Sequence, residues 1–224
     1  MLSHYYLDCD HPSPYFKAGL LLPDLVRGFN EKLRRSVFAT EPVCAEHRYM
    51  AEGVRKHYAV DRLFHQSETF LSAVRQVSGA LLPELFPSFQ HRRYFMAHVL
   101  VEMLLDRLLM KHAPHLCVKM KSDLEKTDTG VLQSYFRHIG KPVVQKDFFD
   151  NFNRLLSSTP LLFYLNNEKF VMALVRVYQK INPAQANRTE VERLATLVSE
   201  MESAHRERLP AIFETLNESL AAHA

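Results

Sequence analysis

Residues 94–110 read YFMAHVLVEMLLDRLLM. Apolar residues take nearly every position, and Pro114 lies just beyond the run. A helix over 89–112 that is apolar almost all round belongs at the centre of a helical core. Besides Arg107, three polar residues spaced four apart interrupt it: His98, Glu102 and Asp106. Residues four apart on a helix differ by about 40° in direction, so these three share a face. Burying such groups is costly unless they are paired or hold a metal ion. A second stretch, HYAVDRLFH at 57–65, repeats the arrangement with His57, Asp61 and His65. Gly53 lies one turn earlier, where the missing side chain lets another backbone approach closely.

Outward from this stretch, helical periodicity dominates and only six glycines occur in 224 residues. The pattern predicts helices near 15–29, 39–76, 117–138, 144–157, 164–181 and 188–221. SGALLPELFPS breaks the run after 76, and Asn187 or Thr189 caps the last helix. Pro210 is expected to kink or end that helix. No repeat, low-complexity tract or linker is visible. The expectation is therefore an all-α fold, a compact multi-helix bundle forming a single domain over 1–224. Its chemistry-bearing segments lie within 1–115, and packing helices fill 116–224.

Composition narrows the classes. The chain is 47% hydrophobic and 24% charged, as for an ordinary globular protein. No apolar run is long enough for a transmembrane helix, so no membrane role is expected. The opening MLSHYYLDCDHPSP has neither the basic nor the apolar region of a signal peptide. Cys9, Cys44 and Cys117 are odd in number and widely spaced, which suits a reduced, cytoplasmic protein without a disulfide framework or a CxxC zinc site. A net charge of +3 does not argue for nucleic acid. Arg27, Lys32, Arg34 and Arg35 in RGFNEKLRRS form a local basic cluster, suited to an anionic partner or simply to solvent.

Imidazole and carboxylate are the usual ligands of Mn²⁺, Fe²⁺, Mg²⁺ or Zn²⁺, and helices that present them inward build metal sites in bundles. An isolated His/Asp pair one turn apart is as readily a plain hydrogen bond; two such stripes in one chain point toward metal. His4, in the aromatic opening LSHYYLD, and Asp24, in GLLLPDLVRG, are further candidates. Asp24 after proline also reads as a helix-turn residue. No serine elbow, P-loop or Rossmann glycine pattern is present.

In this order the segments resemble the acyl carrier protein phosphodiesterase family, a relative of the HD-type metal phosphohydrolases. LSHYYL is similar to the family's N-F-L-A-H-L-Y-L and supplies His4. GLLLPDLVRG is similar to G-N-L-L-x-D-F-V-x-G and supplies Gly19, Asp24 and Gly28. GVRKHYAVDRLFH is similar to G-I-x-L-H-R-x-I-D-x-F-T-D and supplies Gly53, His57 and Asp61. DRLLMKHA is similar to D-H-F-L-x-x-H-W and supplies Asp106 and His112. Leu20, Tyr58, His65, Arg107 and Ala113 depart from the family's Asn, Arg, Asp, His and Trp.

The resemblance implies an HD-hydrolase-like helical fold and a divalent metal, typically Mn²⁺, with Fe²⁺ or Mg²⁺ as alternatives. It implies hydrolysis of the phosphodiester between 4′-phosphopantetheine and a serine of acyl carrier protein. The expected metal ligands are His4, Asp24, His57, Asp61 and Asp106. His65 and His112 are acid–base candidates, Asp24 joins them in catalysis, and Arg107 is expected to grip a phosphate. Arg27, Lys32, Arg34 and Arg35 would dock the acidic carrier protein. Two other readings stay open: a metal phosphohydrolase of another small phosphoester or a nucleotide, and a non-catalytic helical binding protein.

Overall fold

The structure, a computed structural model, describes residues 2–26, 30–140, 142–157, 160–180, 182, 185–208, 211–215 and 218. Every element is helical, and no strand occurs among the described residues. In chain order the helices are α1 (Leu2–Leu7), α2 (Pro14–Leu25), α3 (Asn30–Ala39), α4 (Ala45–Gln66), α5 (Glu68–Ala80), α6 (Arg93–His112), α7 (His115–Leu124), α8 (Thr129–His138), α9 (Pro142–Ser157), α10 (Asn167–Gln179) and α11 (Arg188–His205). Short 3-10 turns lie at Pro87–Phe89, Pro160–Leu165 and Arg206–Arg208. The expected all-α class holds, and no helix among the described residues is long and apolar enough to cross a membrane.

Several boundaries differ from the sequence expectation, each for a local reason. The region near 39–76 is two helices, because the Ser67 hydroxyl accepts from the Phe70 N–H and starts α5 afresh. Likewise the 117–138 helix divides at Asp128, whose carboxylate accepts from the Val131 N–H. α3 was not expected as a separate helix. The last helix starts as expected: Asn187 and Glu190 form a reciprocal capping box. It ends at His205, and Pro210 lies outside the described residues.

The helices group into two units, each drawn from two stretches of chain: Met1–Arg62 with Pro114–Pro160, and Leu63–Ala113 with Leu161–Ala224. One crossing falls inside α4, and the others fall at the short α6–α7 junction and in the 3-10 turn at Pro160–Leu165, so no long linker marks the division. In the first unit, α2 buries Leu20, Leu21 and Leu22 completely and packs with α1, α7 and α9. Ser13 caps α2, with Pro14 in the first turn where its missing N–H costs nothing. α2 and α4 cross with backbones in contact. A Cβ on Gly19 would stand 2.3 Å from the Met50 carbonyl oxygen, and one on Gly53 would stand 2.1 Å from that of Phe16. Only glycine at both positions permits this approach.

In the second unit α6 is the core helix, packed by α5, α10 and α11. From Leu100 to Met110 every residue except Glu102 is buried. The all-round apolar sequence therefore does what its pattern predicts.

Candidate metal centre

Three of the expected ligands converge in the first unit. His4 on α1, Asp24 at the end of α2 and His57 on α4 each offer a ligand atom, and these atoms all lie within 4.8 Å of one another. The glycine-mediated crossing of α2 and α4 is what brings His57 to Asp24. His57 is buried, while His4 and Asp24 are partly buried. The His4 and His57 rings stack, with centroids 3.9 Å apart and planes 11° from parallel.

His57 Nδ1–H donates to the Leu20 carbonyl oxygen at 2.8 Å. A carbonyl only accepts, so Nδ1 carries the proton and the Nε2 lone pair points elsewhere. A backbone carbonyl holding one ring nitrogen is the usual way a ligating histidine is oriented. The departure from asparagine at Leu20 leaves this bond intact, because the main chain makes it. Burial pushes the Asp24 carboxyl up, but positive charge around it, to which the His57 and His4 rings add whenever they are protonated, outweighs burial. The carboxyl is held below the ordinary carboxylate range and is ionised at neutral pH. Two imidazoles and a carboxylate form a chemically suitable set for a divalent transition-metal ion.

α1 is only six residues long, and a buried polar network holds it in place. The Tyr5 hydroxyl donates to Asp123 Oδ2 at 2.7 Å, and Lys17 Nζ on α2 donates to the same oxygen at 2.6 Å. Lys119 and Lys126 add ion pairs at 3.3 and 3.0 Å. Sequence reading missed this network. Its one visible signal is Lys17, a lone cation among Phe16, Ala18, Gly19 and Leu20.

The remaining expected residues sit elsewhere. Asp61, on α4 in the first unit, and Asp106, buried on α6 in the second, belong to neither His/carboxylate group found among the described residues. His65 belongs to the second unit and meets His98 and Glu102 there. Its Nε2 lies 2.8 Å from Glu102 Oε1, and His98 Nε2 lies 3.1 Å from the same oxygen. The His98–Glu102 spacing was legible; the arrival of His65 was not. Arg107 is 3% exposed, with Nε 3.0 Å from Glu202 Oε2 and its guanidinium 4.9 Å from the Phe170 ring centre. That buried ion pair occupies the side chain expected to grip a phosphate. His112 is exposed and lines an open cavity of about 290 Å³ with Leu108, Lys111 and Arg206.

In the expected docking patch, Arg27 lies outside the described residues, as does the Lys32 side chain. Arg34 and Arg35 are exposed on α3. The Arg34 guanidinium lies 5.9 Å from the ring centre of Phe38 and 5.8 Å from that of Tyr58, and Arg55 lies 5.7 Å from Phe38. Phe38 is 52% exposed, so this is a cationic surface built around an accessible aromatic ring.

Set beside known protein families, curated proteins and solved structures, the chain matches none.

Proposed function

We propose that this protein is a divalent-metal-dependent phosphodiesterase centred on His4, Asp24 and His57, acting on the 4′-phosphopantetheine–serine phosphodiester of acyl carrier protein. One observation carries the reading: three ligand-type side chains from three separate helices meet within 4.8 Å, at positions where the sequence resembles the phosphodiesterase motifs. The HD-hydrolase-like fold is part of the same proposal and accords with the all-helical architecture. Mn²⁺ is the ion the resemblance implies, with Fe²⁺ or Mg²⁺ as alternatives, and of these two the paired imidazoles favour Fe²⁺.

A divalent ion supplies Lewis-acid polarisation of a phosphoryl oxygen and a water acidic enough to ionise near neutral pH. The chain's own groups do the rest. His4, Asp24 and His57 would hold the ion, and the Leu20 carbonyl, by engaging Nδ1 of His57, would leave Nε2 as its ligand atom. Arg34, Arg35 and Arg55 give the first unit a cationic face that suits an acidic protein substrate. Such a face speeds encounter and loses that effect as salt rises.

The test is direct. Purified protein with Mn²⁺ is incubated with holo-acyl carrier protein, and the loss of the phosphopantetheine mass is followed. Wild type is expected to convert it to the apo form, and Asp24→Asn to be slower by about 100-fold or more with helix content unchanged. Holo-protein left intact by wild type with Mn²⁺, Fe²⁺ and Mg²⁺ rejects the carrier-protein substrate. The buried Arg107–Glu202 pair favours a second reading, a metal phosphohydrolase of a different small phosphoester. A panel of phosphomonoesters, phosphodiesters and nucleotides decides between the two.

A further inference from the structure

We propose that His65, His98 and Glu102 form a second binding site, in the second unit, for a divalent first-row transition cation. The inference goes beyond the proposed phosphodiesterase centre and does not depend on it. The donor set is again two imidazoles and one carboxylate, and the three ligand atoms lie within 4.8 Å of one another.

The local structure builds this site rather than merely allowing it. His98 and Glu102 stand one turn apart on α6, so their side chains share a face. His65 lies in the last turn of α4, and the chain is pinned two residues later. There Ser67 N–H donates to the Phe64 carbonyl at 3.0 Å, and its hydroxyl donates to the same oxygen at 2.7 Å. Phe70 then fills the space beside both rings, its centroid 4.8 Å from His65 and 4.9 Å from His98. That aromatic contact packs against both imidazole rings and restrains their planes. Solvent still reaches the cluster: the side chains of His65, His98 and Glu102 are 27%, 29% and 40% exposed. An ion can enter from solvent and keep coordination positions for water or a substrate.

The distances suit an ion. Tetrahedral bonds of about 2.1 Å place ligand atoms roughly 3.4 Å apart. Both imidazole Nε2 atoms now face one oxygen, at 2.8 and 3.1 Å. Small rotations of the three side chains therefore exchange two N–H···O contacts for bonds to a cation. Two imidazoles select Zn²⁺, Co²⁺ or Fe²⁺ over Mg²⁺ and Ca²⁺, which prefer all-oxygen sets.

Chelator-treated full-length protein titrated with Co²⁺ tests the site, with bound metal counted by equilibrium dialysis and its coordination read from visible absorption. His57→Ala, which breaks the first triad, is expected to retain one Co²⁺ per chain; His57→Ala with His98→Ala is expected to bind none. In the wild-type background His98→Ala is expected to bind one equivalent fewer, whether or not the first triad is a metal site. Zn²⁺ should displace the retained Co²⁺ and a large excess of Mg²⁺ should not. If His98→Ala loses helix content, the nearly isosteric Glu102→Gln replaces it and should weaken Co²⁺ binding at least tenfold. Undiminished binding in a folded Glu102→Gln or His98→Ala variant overturns the proposal and leaves a hydrogen-bonded cluster only. Equal displacement by Mg²⁺ overturns the transition-metal assignment, and absence of Co²⁺ from His57→Ala overturns the site itself.

Discussion

Lys17 is 4% exposed, and the carboxylate of Asp123, 7% exposed, lies 2.6 Å from its Nζ. A buried pair of this kind is weak evidence for net stability, but breaking one partner strands the other. Asp123→Ala leaves Lys17 buried without its carboxylate and removes the acceptor of the Tyr5 hydroxyl, so it should cost about 3–5 kcal/mol. The pH dependence has a definite sign. Burial pushes the Asp123 carboxyl up, but hydrogen bonds from Lys17, Tyr5 and Lys126 outweigh it and hold the group below its ordinary range. A carboxyl depressed in the folded state contributes fully above its unfolded value of about 4 and loses that contribution as pH falls toward its folded value. Urea unfolding should therefore show wild type well above Asp123→Asn at pH 7, with the gap narrowing below about pH 4. A gap that stays constant from pH 7 to pH 3 would show that Asp123 is not the titrating group. At this scale the sequence was informative where residue type alone carries chemistry. His4, Asp24 and His57 were readable because imidazole and carboxylate stand out in apolar surroundings. The partners of Lys17 were not, because Asp123 lies 106 positions away in an ordinary polar segment.

Helices α2 and α4 owe their crossing to glycine, and this gives a prediction opposite in sign to helix propensity. Alanine is favoured over glycine in a helix by about 1 kcal/mol. At Gly79 on α5, where an added Cβ meets nothing within 4 Å, Gly79→Ala should stabilise the protein by about 0.5–1 kcal/mol. At Gly53 the same change drives a methyl group to 2.1 Å from the Phe16 carbonyl oxygen and 2.9 Å from the Leu20 nitrogen, both backbone atoms. The helices must part, so Gly53→Ala should destabilise by about 1–3 kcal/mol despite the better propensity. It should also lengthen the His57–Leu20 hydrogen bond and weaken the metal binding proposed for the first triad. Denaturant midpoints of the two variants check the pair; Gly53→Ala stabilising as much as Gly79→Ala would refute the close crossing. The close approach at Gly53 was legible, because glycine in an apolar helix needs a reason. The breaks at Ser67 and Asp128 were harder to see, since apolar periodicity runs on through both. There a single side-chain oxygen satisfies the first N–H groups of a new helix.

Each unit holds a buried carboxylate that gathers cations: Asp123 with Lys17, Lys119 and Lys126 in one, Glu202 with Arg107, Lys111 and Arg206 in the other. Each also holds one group of two histidines and a carboxylate. No sign of a division was legible, because the units interleave along the chain and no loop of linker composition separates them. Only pairing between distant stretches reveals it, and periodicity does not report such pairing. The second unit makes the consequence testable. α6 is apolar all round and must be covered on several sides; α5 is near in sequence, but α10 and α11 arrive from beyond residue 160. A chain ending at Pro160 keeps α6 but loses Phe170 from beneath Arg107, and Glu202 from its guanidinium. Leu104, Leu108 and an unpaired Arg107 would then face water or another molecule. Exposed apolar area of this extent drives association, and the stranded charge adds to the cost of leaving α6 in place. The shortened chain should bind a hydrophobic dye, self-associate in sedimentation, and show lower helicity per residue than the full chain. A monomer with full helicity per residue and no dye binding would mean that α5 alone suffices to cover α6, and that the second unit does not need its later stretch to fold.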